Sequence, residues 1–326
     1  MADKPKIGIC WLGGCGGCDE AVVDLHEDIL KVTNAFDIIL WPVALDYKYH
    51  HIEAMKDGEI TLSIINGSVR NSEHEEVAHL LRKKSQLVLA FGACACHGGT
   101  PGMANLTTKE DIFQWVYADS PTVVNPERNV PQTMTKKNGF QLTLPEFYRQ
   151  VFPLNNVIDV DYYLPGCPPP PDLIRDMAMA AISGNLPPKG STLAPDRALC
   201  DVCARNKTKP ERLAISHVKR IHEIEADFTT CFLAQGVVCT GPATRAGCGE
   251  VCIKINMPCR GCFGPVEGVT DQGAKYLSAF ASLIQGETEE ARKKVADQLV
   301  DPTGYFYRFT TASSLLKKKR ETTKKA

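Results

Sequence analysis

At 326 residues and a formal net charge of −1, the chain has length for one large domain or two ordinary ones and no overall field for nucleic acid. No apolar run reaches the ~18 residues that cross a bilayer, and Met1-Ala-Asp-Lys-Pro-Lys6 has neither a signal peptide's apolar core nor a twin arginine. A cytoplasmic protein without a membrane span is expected, and in that reducing compartment its 14 cysteines point to metal rather than to disulfides. The basic tail, Lys317-Lys-Lys-Arg320 with Lys324 and Lys325, reads as a solvated terminus.

Taken in order, residues 6–12 form an apolar strand pattern. It runs into Gly13-Gly-Cys-Gly-Gly-Cys18 and then a helical pattern with Val22, Leu25, Ile29 and Val32 on one face. Further strands are expected at 36–43, 60–65, 86–92 and 157–164. A helix starts at a capping box, Ser72-Glu-His-Glu75, and another covers 172–182 and ends at Gly184. Strands alternating with helices predict an α/β, doubly wound, mostly parallel sheet. The proline-rich stretch 120–156 reads as a long surface excursion. Pro187-Pro188 and Pro195 mark a linker, which divides the chain into 1–186 and a cysteine-rich 187–326.

The glycine-rich turn admits three readings. A phosphate loop lacks its Lys-Ser/Thr ending, because Asp19 and Glu20 follow. A redox dithiol is the second reading and half of a metal site the third. Cys94 follows the strand at 86–92 and Cys167 the strand at 157–164, so Cys15, Cys18, Cys94 and Cys167 all fall at carboxyl ends of strands. In an open parallel sheet, that is where ligands gather. Four thiolates suit a 4Fe-4S cluster or a structural zinc. Cys10 reads as a small buried hydrophobe, while Cys96 is a direct rival of Cys94. His97 is either a turn histidine or a hydrogen-bond donor near the site.

Beyond the linker, Cys200, Cys203, Cys231, Cys239, Cys248, Cys252, Cys259 and Cys262 crowd a region with little periodicity apart from an expected helix at 211–224. Metal would supply the folding energy such a region lacks. The natural division is Cys200, Cys203, Cys231 and Cys239 in one site, and Cys248, Cys252, Cys259 and Cys262 in another. Zinc is the rival for both, giving a zinc-stabilised scaffold. Against it stand the three sets of four and the glycines and prolines around Pro258-Cys-Arg-Gly-Cys262, which allow close backbone approach to something larger than an ion. Residues 271–299 read as two helices broken near Gly286, and Tyr305-Phe-Tyr-Arg-Phe309 as an aromatic cluster, exposed or packed on the first domain rather than holding a cofactor.

Cys15-Gly-Gly-Cys18, Gly92-Ala-Cys94 with Gly98-Gly99, Gly166-Cys-Pro-Pro169 and Pro258-Cys-Arg-Gly-Cys262 together resemble, in order and spacing, the small subunit of [NiFe] hydrogenases. Trp11-Leu-Gly-Gly-Cys15, Cys239-Thr-Gly-Pro-Ala-Thr244 and Asp271-Gln-Gly-Ala-Lys275 are closest to the cytosolic methyl-viologen-reducing, deazaflavin-non-reducing type that partners heterodisulfide reductase. The resemblance implies a flavodoxin-like domain and an irregular iron–sulfur domain. It also implies three 4Fe-4S clusters: proximal on Cys15, Cys18, Cys94 and Cys167, medial on Cys248, Cys252, Cys259 and Cys262, and distal on Cys200, Cys203, Cys231 and Cys239. By the same resemblance the catalytic nickel–iron centre is expected in a separate large subunit, and no catalytic residue is expected in this chain.

Periplasmic members carry a histidine where this chain has Cys200 and a proline near Cys252. All-thiolate sites are expected to sit at lower potential, as suits an iron–sulfur acceptor subunit linked to heterodisulfide reductase. Rivals are a deazaflavin-reducing hydrogenase and the cluster subunit of respiratory complex I, whose adjacent cysteine pair is missing here. Glu20 is either part of a proton path or a first-turn glutamate favoured by the helix dipole.

Overall fold

The computed structural model describes residues 4–317; most of the basic tail and the first three residues lie outside them. The strands in chain order are β1 (Lys6–Trp11), β2 (Asp37–Leu40), β3 (Ile60–Asn66), β4 (Val69–Asn71), β5 (Ser85–Phe91), β6 (Met134–Lys137), β7 (Phe140–Thr143), β8 (Phe147–Phe152) and β9 (Tyr162–Leu164). Five of them make one parallel sheet in the order β2-β1-β3-β5-β9. That is the flavodoxin-like order, with its reversal between β1 and β3.

Alternation along each strand explains why both faces are covered. Ile7 and Ile9, Leu62 and Ile64, and Leu89 and Phe91 point to one apolar cluster with Val22, Ile174 and Met177 from the helices Gly17–Val23 and Pro171–Ser183 and Leu25 from the turn after the first. Cys10, Ile65, Val88 and Ala90 point to the other, against Val77, Ala78 and Leu81 of the helix Ser72–Lys84. A period of two sends neighbours to opposite faces, so an unbroken apolar strand is buried on both.

A third apolar cluster is built from residues 199–307, where short turns replace long elements. Its centre is aromatic, with Tyr276, Phe280 and Phe306 at centroid distances of 5.4–6.0 Å. The cluster at 305–309 therefore docks on the helix Gln272–Leu283 through Phe306 and Tyr307, while Phe309 lines a cleft shared with Ala21 and Cys167 of the first domain. The chain then packs further against the sheet domain, where Ala312 fills the space left by Gly98 and Gly102.

Four expectations are corrected. Among the described residues no α-helix covers 211–224; Ile215 instead bridges Ile284 and Lys219 bridges Val237, so extended pairing takes the backbone groups. The helix at 72 is capped by Asn71, whose Oδ1 accepts from the His74 N–H at 2.8 Å, rather than by a Ser72 box. Strand β9 keeps only Tyr162–Leu164 of the expected 157–164. The excursion 120–156 holds real structure: β6 and β7 form an exposed hairpin about Asn138-Gly139, and β8 pairs antiparallel with β4. Asn138 and Gly139 have φ of 52° and 80°, as a tight Asn-Gly hairpin turn requires. That dipeptide was the available signal.

Candidate metal centre

Cys15 and Cys18 follow β1, Cys94 follows β5 and Cys167 follows β9, and the four line one cavity of ≈ 90 Å³ at the carboxyl edge of the sheet. Asn66 and Gly67, from the end of β3, close it at the switch in strand order. The loops are braced in pairs. Gly13 N–H donates to the Ser68 carbonyl at 2.9 Å and Ser68 N–H returns to Gly13 at 2.8 Å, while Ala93 N–H donates to the Gly166 carbonyl at 2.6 Å. Behind them, buried Asp19 accepts from Trp41 Nε1 at 2.9 Å and from Asn66 Nδ2 at 3.0 Å, which ties the turn after β1 to β3. Asp19 was missed as an organising residue, because its neighbours Trp41 and Asn66 are distant in sequence.

Two glycines are required by close approach. A Cβ at Gly92 (φ +84°) would sit 2.4 Å from Cys18 Sγ, and one at Gly99 (φ +57°) would sit 2.5 Å from Cys94 Sγ. No side chain fits there without displacing a thiol.

The other eight cysteines also gather in fours. Cys248, Cys252, Cys259 and Cys262 line a largely apolar cleft of ≈ 420 Å³ that Cys167 and the prolines after it share. Cys200, Cys203, Cys231 and Cys239 line a third cavity. The second and third sites touch: the Cys259 N–H donates to Cys239 Sγ at 3.3 Å. Thr240 Oγ1 donates to the Cys259 carbonyl, and Tyr276 Oη to that of Cys239 at 2.6 Å.

Burial raises these thiols. Burial first, then Cys167 and Cys15, pushes Cys94 up to about 12, and burial holds Cys18 and Cys262 well above the ordinary thiol range. Cys200 also stands at about 12, chiefly through burial. Such thiols ionise when a metal cation supplies the compensating charge. Among the described residues no three His, Cys, Asp or Glu side chains converge closely enough to grip a single ion. The first cavity, at ≈ 90 Å³, is several times the roughly 10–15 Å³ that one water-sized sphere needs. Four thiols spread around such a space fit a polyatomic iron–sulfur group.

The remaining candidates fall outside these three cavities. Cys10 is fully buried and raised to about 12 by burial, with Asp19 adding. Cys96 is buried with its Sγ 3.3 Å from the Ala90 carbonyl, so it is Cys94 that faces the cavity. Glu20 is exposed. His97 Nε2 is buried without a hydrogen-bond partner, against Gly264 of the cysteine-rich region. Burial, with Arg245 adding, holds His97 down to about 4. A depressed histidine stabilises the fold fully above its unfolded value of ~6.5 and loses that contribution as pH falls towards 4, on the order of 2–3 kcal/mol. Thermal melting across this window is expected to show that loss, and His97→Phe, whose ring cannot charge, is expected to flatten it.

Comparison with known proteins agrees with this geometry. Residues 15–181 match the family described as NADH ubiquinone oxidoreductase, 20 Kd subunit, a span that includes Cys15, Cys18, Cys94 and Cys167 and stops before Cys200. The iron-sulfur subunit of an F420-non-reducing hydrogenase from Archaeoglobus profundus is 42% identical over 96% of this chain and 98% of its own length. A subunit of the F420-non-reducing hydrogenase from Methanothermobacter thermautotrophicus is 40% identical over 97% of each. The chain belongs to the [NiFe] hydrogenase small-subunit family. It is thus an electron-transfer subunit of an oxidoreductase. A solved [NiFeSe] hydrogenase chain from Desulfovibrio vulgaris Hildenborough shares the fold at a TM-score of 0.51 and 18% identity, covering 82% of this chain and 96% of that one. Among the described residues of this small subunit, no helix is long and apolar enough to cross a membrane.

Proposed function

We propose that this chain is the electron relay of a cytoplasmic hydrogenase, holding three 4Fe-4S clusters between a large subunit with the nickel–iron site and a heterodisulfide-reductase-type acceptor. Residues 1–186 would form the domain carrying Cys15, Cys18, Cys94 and Cys167, the ligands nearest the large subunit. Residues 187–326 would carry Cys248, Cys252, Cys259 and Cys262 in the middle, and Cys200, Cys203, Cys231 and Cys239 at the exit. The observation that carries this reading is continuity. Cys167 lines both the first and the second cavity, and Cys259 of the second hydrogen-bonds Cys239 of the third. Bound clusters would supply one-electron chemistry, while the cysteines and their glycine-rich loops position them.

Iron and acid-labile sulfide are each expected at about twelve per chain, at four per cluster. Zinc in place of iron would overturn the relay in favour of a scaffold. Similarity to two F420-non-reducing hydrogenases along nearly the whole chain supports that type. Purification from the native source is accordingly expected to bring down heterodisulfide-reductase-type subunits; a deazaflavin-binding flavoprotein subunit instead would reassign the acceptor.

A further inference from the structure

The cavity formed by Cys200, Cys203, Cys231 and Cys239 differs from the first in its charge. Its lining includes Arg205, Asn206 and Lys209, and among the described residues no carboxylate lines it. Among the described residues the first cavity is lined by no Lys, Arg, Asp or Glu side chain.

Arg205 is the unusual member. Its side chain is only 5% exposed. Every acceptor that the structure gives its guanidinium is neutral: the carbonyls of Asp227 at 3.0 Å, Thr230 at 3.3 Å and Ile253 at 3.4 Å, and Asn256 Oδ1 at 2.8 Å. The guanidinium also lies 4.2 Å over the Phe232 ring. The nearby Asp227 carboxylate is engaged elsewhere, accepting from the N–H groups of Thr229 and Thr230 and from Thr229 Oγ1. An arginine stays protonated in proteins, and a buried charge without a counter-charge is costly. A cavity walled by four thiolate-forming side chains supplies the missing counter-charge. Lys209 acts in the same sense, since it lines the same cavity and adds a second cation to its wall.

We propose that Arg205, helped by Lys209, is the charge partner of the group held by Cys200, Cys203, Cys231 and Cys239, and that it raises that group's reduction potential above what all-thiolate ligation alone would set. This rests on the ligand set proposed above. The physical reason is that reduction adds negative charge, which a fixed neighbouring cation stabilises. The first site lacks such a cation and has the Asp19 carboxylate behind it. Arg205 therefore inclines the relay so that electrons run downhill to the exit, and it is a positioning and tuning residue rather than a catalytic one.

The test is a redox titration of the purified hydrogenase complex, followed by electron paramagnetic resonance, with iron counted in parallel. Arg205→Gln is expected to make reduction of one cluster at least tenfold less favourable, ~59 mV lower for a one-electron couple, with the other two unchanged. Arg205→Lys, which keeps the charge, is expected to restore most of the shift. Three unmoved potentials at full iron content in Arg205→Gln would overturn the proposal. Should that variant lose a cluster, Lys209→Gln decides: a smaller downward shift of one cluster supports the proposal, and no shift overturns it. Wild-type complex with only two clusters would overturn the ligand set itself, before any variant is compared.

Discussion

Cys167→Ser is expected to abolish hydrogen-dependent dye reduction while leaving the rest of the chain folded. Cys167 is exposed, sits in the loop after β9, and lines both the first cavity and the cleft of the second quartet. Its backbone is anchored independently of its thiol, because Gly166 accepts from Ala93 at 2.6 Å and the helix Pro171–Ser183 packs Ile174 and Met177 into the core. Serine keeps the size and the anchor but offers a hard, weakly acidic hydroxyl in place of a soft thiolate. Loss of a group that merely supports a ligand costs a metal site about 10–100-fold, so loss of a ligand is expected to cost more than about a hundredfold. The measurement is dye reduction by the assembled complex together with its iron content, which is expected to fall by about four per chain. Unchanged iron with unchanged activity would remove Cys167 from the ligand set.

Gly92→Ala is expected to have nearly as large an effect without touching a ligand. Gly92 has φ +84°, and an alanine Cβ would lie 2.4 Å from Cys18 Sγ and 3.5 Å from the Gly166 carbonyl oxygen. The backbone strain of a non-glycine residue there is about 1–2 kcal/mol. The steric term is the decisive one, since relief requires Cys18 Sγ to leave the cavity or the loop of Cys167 to move. Gly58→Ala provides the control. It has φ +73° and nothing within 4 Å, so it carries the strain alone. Iron loss and a lower melting temperature are expected for Gly92→Ala, against a small melting shift and full iron for Gly58→Ala. Equal behaviour of the two would show that the thiol contact is unimportant.

How much of this was legible beforehand depended on the range of the interactions. The glycine-flanked Cys15 and Cys18, the apolar strand at 85–91 before Cys94, and the Gly166-Cys-Pro-Pro run carry their information locally, and the α/β alternation follows from periods of two and 3.6. The hairpin at Asn138-Gly139 was equally local, but it was hidden among prolines that read as a loop. The stretch 211–224 misled for the opposite reason. Its apolar spacing suited a helix, yet Ile215 and Lys219 find backbone partners at Leu283, Gln285 and Gly236, far away in the chain. Tertiary pairing overrides a weak helical preference.

The residues by themselves determined where the cysteines lie along the chain and that three of the loops bearing them follow strands of a parallel sheet. Only the tertiary structure decided that Cys94 rather than Cys96 faces the cavity, that Asp19 ties Trp41 to Asn66, that Cys259 meets Cys239, and that a buried Arg205 stands beside the last quartet without a carboxylate. Donor chemistry is a property of each residue and can be read one position at a time. Burial, counter-charge and contact between sites arise only when segments remote in sequence share the same space.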